Sequence, residues 1–89
     1  MTFDEKYAIQ SMAMDLKRIS LGLQRNSVIM AERFLTEAQK REKEISYSSC
    51  PEYITNILKK IKIINLKNNS KIAEDAQMYS TLLQNFSSR

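Results

Sequence analysis

The stretch that decides the fold is IQSMAMDLKRISLGL, residues 9–23. Its apolar residues recur every three or four positions, which is the pattern of an amphipathic α-helix. Ile9, Leu16, Leu23 and Met30 are seven residues apart and are joined by Met12 and Ile19. This heptad spacing is typical of a seam that packs against another helix. The sequence therefore predicts an all-α protein built around this helix.

The helix is predicted to extend in both directions from this stretch. Thr2 and Glu5 form a capping box, which satisfies free amide groups at a helix start, so we expect the helix to begin at Phe3. Good helix formers dominate from there to residue 45, and no proline occurs before Pro51. We therefore predict one long helix over residues 3–45, followed by a turn at residues 46–50.

The second half of the chain is predicted to form a second long helix over residues 51–86. Pro51 and Glu52 suit a first helical turn. Leu58, Asn65, Ile72, Tyr79 and Phe86 keep one seven-residue spacing, and no glycine or proline follows Pro51. The polar segment NLKNNS, residues 65–70, permits a break, with Ser70 capping a third helix, but we expect the helix to continue. The fold expected is an antiparallel hairpin in a single domain, residues 1–89.

A second apolar stripe on the first helix, formed by the seven-residue series that begins at Tyr7 and continues through Met14, predicts self-association. At about 100° per residue this stripe lies some 140° from the first, so one neighbouring helix cannot cover both. We therefore predict a homodimer in which two hairpins form a four-helix bundle. The alternative is a compact three-helix monomer with a sharp turn at residues 68–70. The oligomer interface predicted consists of Tyr7, Met14, Leu21, Val28 and Leu35.

Two residues within the predicted first helix do not fit a regular helix interior. Gly22 is about 1 kcal/mol worse than an ordinary residue in a helix interior, so it indicates either a close backbone contact or a tolerated weak point. Asn26 falls where the seam expects an apolar residue, and a polar residue there can set the register or the oligomeric state.

Residues able to carry chemistry are nearly absent. The chain has no histidine, no tryptophan, no glycine-rich phosphate loop and a single cysteine, Cys50. Helical bundles that bind a di-metal centre use histidine with glutamate, and a cysteine nucleophile needs a base to activate it. We therefore predict that the protein is not an enzyme and has no catalytic, cofactor or metal site.

The basic residues suggest the class of partner. The net charge is +4, and Glu52 is the only acid between Pro51 and Lys71. No aromatic side chain lies among the lysines, so nucleic-acid binding is the second hypothesis and a protein-interaction or regulatory module is the first. The predicted contact for an acidic partner or a nucleic acid is a lysine ridge consisting of Lys59, Lys60, Lys62, Lys67 and Lys71.

The lengths of the apolar runs and the composition of the first residues predict the cellular location. None approaches the roughly 20 residues that cross a bilayer, and the first residues lack the basic and apolar regions of a secretory signal. We expect a cytoplasmic protein with no transmembrane segment.

Overall fold

Four α-helices make up the protein. The computed structural model describes residues 2–66 and 71–88. The helices are α1 (Phe3–Gln24), α2 (Val28–Glu42), α3 (Glu52–Ile63) and α4 (Ile72–Ser87), with a short 3₁₀ helix at Tyr47–Ser49. No strand occurs within the described ranges, so the all-α prediction is confirmed.

The start of α1 is as predicted. The Glu5 amide donates to Thr2 Oγ1 at 3.1 Å, and the Thr2 amide donates to Glu5 Oε1 at 3.2 Å, which completes the capping box. The other carboxylate oxygen of Glu5 accepts a hydrogen bond from the Ser46 amide at 2.8 Å. These backbone donors lower the pKa of Glu5, the Ser46 amide most strongly. One side chain thus caps α1 and holds the loop after α2.

The prediction of one helix over residues 3–45 is wrong, because α1 ends at Gln24. Asn26 has a φ of 57°, in the left-handed region that asparagine tolerates. The Ser27 amide donates to the Gly22 carbonyl at 2.7 Å, and the Asn26 amide donates to the Leu23 carbonyl at 3.2 Å. This is a Schellman motif, which ends a helix. Asn26 is thus a helix terminator, and the register role suggested for it does not apply.

Gly22 lets the next helix come close. A Cβ atom built on it would lie 3.2 Å from both the Ala31 nitrogen and the Ser27 carbonyl oxygen. Both are backbone atoms and cannot move aside as a flexible side chain would. The close-contact interpretation of Gly22 is therefore correct, and the approaching backbone belongs to α2 of the same chain.

The expected continuity of residues 51–86 is also wrong. Ile64 has an extended backbone, with ψ at 133°, so α3 ends at Ile63, and α4 begins at Ile72. The side-chain amide of Gln39 in α2 donates to the Ile61 carbonyl at 3.3 Å and the Ile64 carbonyl at 3.5 Å. This contact satisfies carbonyl groups that a helix end leaves unpaired. The turn considered at residues 68–70 lies outside the described residues.

The helices form an antiparallel arrangement within one chain. Helix α1 packs along both α2 and α4, and α3 lies between those two on the remaining side. Small residues line the close contacts of α1, and Ser80 of α4 donates from its hydroxyl to the Ala13 carbonyl at 2.6 Å. Four helices therefore come from one chain in place of the two predicted for the hairpin. The largest side chains wholly removed from solvent are Ile9, Met12, Leu16, Ile19, Ile54, Leu58, Ile61 and Leu83.

Candidate protein-binding groove between α3 and α4

Helices α3 and α4 are packed less closely along their length than α1 is with its neighbours, and a groove runs between them. Each helix presents one stripe to the groove at spacings of four, three and four residues, which keeps the stripe on a single helix face. We define the α3–α4 groove by the Tyr53–Phe86 ring contact at one end, by Lys60, Ile64, Asp75 and Tyr79 at the other, and by Ile57 and Leu82, which this spacing places between the two ends.

The groove is narrow at one end and wide at the other. At the narrow end the rings of Tyr53 and Phe86 meet edge to face, with centroids 6.4 Å apart. At the wide end a cavity of about 340 Å³ opens, which is large enough for a few side chains of a bound partner. The groove therefore has a closed end and an open end. The cavity is lined by Lys60, Ile63, Ile64, Asn65, Ile72, Asp75 and Tyr79.

The surface around the groove is unusually apolar. Ile63 is 75% exposed at the wide end, Met78 is 51% exposed beside the α4 stripe, and Tyr53 and Leu82 are also exposed. Scattered exposed apolar residues need no explanation, but a contiguous group on two helices is typical of an interaction surface. The groove is therefore the candidate binding site of this protein.

The groove carries one charge of each sign, Lys60 on the α3 side and Asp75 on the α4 side. Lys59, Lys60 and Lys62 are exposed, and Lys60 itself lines the cavity. On the opposite bank the Asp75 carboxylate lies near Tyr79, and burial together with that carboxylate raises the pKa of the Tyr79 hydroxyl. As a phenol the hydroxyl can donate a hydrogen bond to an occupant of the groove.

The structure separates the five residues predicted as an oligomer interface. Tyr7 and Met14 are exposed on α1, and Leu21 is half-buried there. Val28 is exposed but belongs to α2, which runs in the opposite direction, while Leu35 is only 8% exposed and lies in the core. The five residues therefore do not form one continuous stripe, because the chain turns at Asn26. Self-association itself stays a prediction.

The predicted lysine ridge is also divided. Lys59, Lys60 and Lys62 share α3, whereas Lys71 lies at the start of α4 and is exposed. Lys67 lies outside the described residues. Lys59 and Lys62 project from other faces of α3 than Lys60 does, since one residue turns the helix by about 100°. Only Lys60 of the five belongs to the groove.

Other polar side chains that are buried or half-buried stabilise the fold through contacts within the chain. The Tyr47 hydroxyl donates a hydrogen bond to the buried Glu42 carboxylate, and this contact raises the pKa of Tyr47 to about 12. Asp15 pairs with Arg18 at 3.7 Å, and burial raises the pKa of the Asp15 carboxyl. The Cys50 thiol donates to the Ser46 carbonyl, and its pKa is raised by burial. A thiol in that setting is a poor nucleophile.

A metal-ligand cluster and a membrane-spanning helix are both absent from residues 2–66 and 71–88. No group of three or more acidic or cysteine side chains there is placed to hold a metal ion. Over the same ranges, none of the helices combines the length and the apolar character that crossing a bilayer requires.

Sequence reasoning missed most of the groove. It placed Tyr79 and Phe86 on a seven-residue spacing typical of helix packing and did not single out Tyr53 or Leu82. The available signal was the matching four-three-four spacing of the two stripes, which becomes informative only when α3 and α4 are known to be separate and antiparallel.

Comparison with known proteins adds no relative. No protein-family model matches the chain, and neither the curated proteins nor the solved structures contain a significant match to it.

Proposed function

We propose that this protein is a helical interaction module that binds an amphipathic helix of a partner protein in the α3–α4 groove. The observation that carries the proposal is the groove itself, which has apolar side chains on both banks and a cavity of about 340 Å³ at its wide end. Helix-in-groove recognition uses this arrangement, with apolar anchors of the bound helix at three- and four-residue spacing. Function in the cytoplasm, expected from the sequence, remains part of the proposal.

The dimensions and charges of the groove describe the bound helix. From Tyr53 to Ile64 the α3 stripe covers eleven residue steps, or about 17 Å, which corresponds to roughly three turns of a bound helix. The lysines on α3 favour acidic side chains on the flanks of that helix. An anionic membrane is the less suitable occupant, because the groove is concave and one of its banks carries the Asp75 carboxylate.

A pair of designed peptides tests this proposal. Both are three-turn amphipathic helices with the same leucine face, and one carries glutamates and the other lysines on its polar face. We expect the glutamate peptide to bind about tenfold more tightly or better, and to shift the NMR resonances of Lys60, Ile64, Tyr79 and Leu82. Equal binding of both peptides, or shifts confined to other surfaces, would show that the groove is not the site.

A matched pair of variants completes the test. Leu82→Asp places a charge in the groove, and we expect it to reduce binding of the glutamate peptide at least about tenfold, since an apolar contact is lost and a carboxylate is added. Thr81→Asp adds the same charge at the next exposed position of α4, about 100° around the helix. Equal losses in the two variants would mean that charge alone, and not the groove, determines binding.

Nucleic-acid binding is the second candidate, favoured by the exposure of Lys59, Lys60 and Lys62 on one helix. Phosphate contacts release counterions, so such binding should weaken steeply between about 50 and 200 mM salt. Fluorescence anisotropy with a labelled single-stranded RNA and a DNA duplex measures it. A Lys59→Glu and Lys62→Glu double variant should then lose binding, while binding of the glutamate peptide at Lys60 should weaken only modestly.

A further inference from the structure

An apolar face on α1 lies away from the α3–α4 groove and is left uncovered by the chain. Phe3, Tyr7, Met14 and Leu21 are spaced by four and seven residues, so at 100° per residue they lie within about 40° of one another. This direction is opposite the side of α1 that enters the core. Phe3, Tyr7 and Met14 are exposed, and Leu21 is half-buried. We call these four residues the α1 outer face.

The neighbouring helices flank this face without closing it. From α2, the guanidinium of Arg41 lies over the Tyr7 ring, 5.9 Å from its centroid. From α4, Gln84 and Ser88 line a depression together with Met14. Met14 is 44% exposed and stands at the middle of the face. The contact offered to another molecule is therefore a ridge along α1, on which the polar residues Gln10, Ser11, Lys17 and Arg18 lie between the apolar ones.

Charge is distributed unequally along the ridge. Asp4 lies beside Tyr7 at the N-terminal end of α1, where Arg41 and Glu44 also lie and pair with each other at 3.5 Å. Arg25 is eighteen residues from Tyr7, which is five full helical turns, so it lies in line with the face at the C-terminal end. Arg18 lies only about 20° away from the same line. The face thus has an acid, Asp4, at one end and a base, Arg25, at the other.

This pattern is complementary to a reversed copy of itself. If a two-fold axis passes through Met14, Tyr7 lies seven residues before the axis and Leu21 seven residues after it. Each tyrosine then faces a leucine of the other copy, and the two methionines meet at the centre. The same operation brings Asp4, ten residues before the axis, close to Arg25, eleven residues after it. A parallel pair would instead place the Asp4 carboxylates beside each other.

We propose that a second copy of this chain binds to the α1 outer face in antiparallel orientation, with a two-fold axis at Met14. The contact is isologous, because the same surface is used by both copies, and such interfaces produce closed dimers. It leaves both α3–α4 grooves open, so this proposal does not depend on peptide binding. It also differs from the interface expected from the sequence, since Val28 and Leu35 take no part.

A concentration series in the analytical ultracentrifuge tests the proposal with one matched pair of variants. We expect the unmodified chain to form a dimer and Met14→Asp to raise the dissociation constant at least about 100-fold, since two methionines lose burial and two carboxylates meet at the axis. Met78→Asp changes an equally exposed methionine on α4 and should leave the constant within about twofold. A monomer at every concentration, or a dimer unaffected by Met14→Asp, would overturn the proposal.

Two independent experiments test the interface, the first its orientation and the second the position of its axis. Asp4→Lys and Arg25→Glu should each weaken the dimer by about threefold to tenfold, and the double variant should recover most of the loss because the charges are exchanged. In a Cys50→Ser background, Met14→Cys should form an intermolecular disulfide on oxidation, since cysteines on a two-fold axis come within reach, whereas Met78→Cys should not. No recovery in the double variant would contradict the antiparallel orientation, and cross-linking through residue 78 alone would contradict an axis at Met14.

Discussion

Gly22 and Ala31 hold α1 and α2 so close that a Cβ atom on the glycine would lie 3.2 Å from the alanine backbone nitrogen. The turn between them needs only three residues, 25–27, because the Schellman motif reverses the chain at once. This contact decides that α2 lies against α1. It is therefore the point at which the predicted long helix becomes a helical hairpin.

Substitution of Gly22 should reveal this contact. Alanine improves helix propensity by about 1 kcal/mol, but its methyl group meets backbone atoms and overpacking costs about 1 to 3 kcal/mol. We therefore expect Gly22→Ala to lower the free energy of unfolding by about 1 kcal/mol in urea denaturation. Lys17→Ala, at an exposed site of the same helix, should stay within about 0.5 kcal/mol. A clear gain in stability for Gly22→Ala would mean that the helices can separate without loss.

The backbone at Asn26 predicts opposite effects for two small residues. Asn26→Ala should cost up to about 1 kcal/mol, because alanine keeps the Cβ crowding of a φ of 57° and loses the local hydrogen bonding by which asparagine offsets it. Glycine has no Cβ, so Asn26→Gly should be neutral or slightly stabilising. Both are measured as shifts of the urea midpoint, and Arg25→Ala, where φ is negative, serves as the control. Equal effects of alanine and glycine at position 26 would argue against a left-handed residue there.

The contact of Ser80 with the Ala13 carbonyl joins α4 to the middle of α1. Ser80→Ala removes a buried hydrogen bond of 2.6 Å and should cost about 1 kcal/mol. Ser80→Leu should cost more, about 1 to 3 kcal/mol, because the side chain does not fit between closely packed helices. Thermal unfolding followed by circular dichroism gives both values. Thr81→Ala is the exposed control on the same helix, and a loss there as large as in Ser80→Ala would contradict the interpretation.

The pairing of Tyr47 with Glu42 predicts a loss of stability in alkaline solution. The pKa of Tyr47 is raised to about 12 in the folded protein, from a usual value of 10.0. Between these two pH values the Tyr47 hydroxyl keeps its proton in the folded state but loses it in the unfolded state. The contribution of the Tyr47–Glu42 hydrogen bond to the free energy of unfolding is therefore fully present below pH 10 and is lost as the pH rises towards 12. The stability difference between the unmodified chain and Tyr47→Phe should shrink over that range. A difference independent of pH would show that the tyrosine is not bound to the carboxylate.

The groove illustrates what a one-dimensional pattern can and cannot predict. Tyr79 and Phe86 follow the seven-residue spacing, and such a spacing alone does not distinguish a core face from the wall of a groove. Tyr79 becomes a groove residue because α3 and α4 separate towards the wide end, where Lys60 and Asp75 line the opening, and Phe86 becomes one because it meets Tyr53 at the narrow end. That separation depends on the packing of all four helices together, which no single segment encodes.

The sequence by itself determined the helical class, the start of α1 at Phe3, the turn near residues 46–50 and the scarcity of groups for catalysis. Each of these follows from local chemistry, namely a capping box, helix propensity, a proline and the residue types present. Only the tertiary structure decided that the chain turns at Asn26 and again after Ile63. Both turns bring distant segments together, since α2 reaches Gly22 and Gln39 reaches the end of α3. The free energy gained by burying those surfaces exceeds the local preference to continue a helix, and that gain depends on residues far apart in the chain.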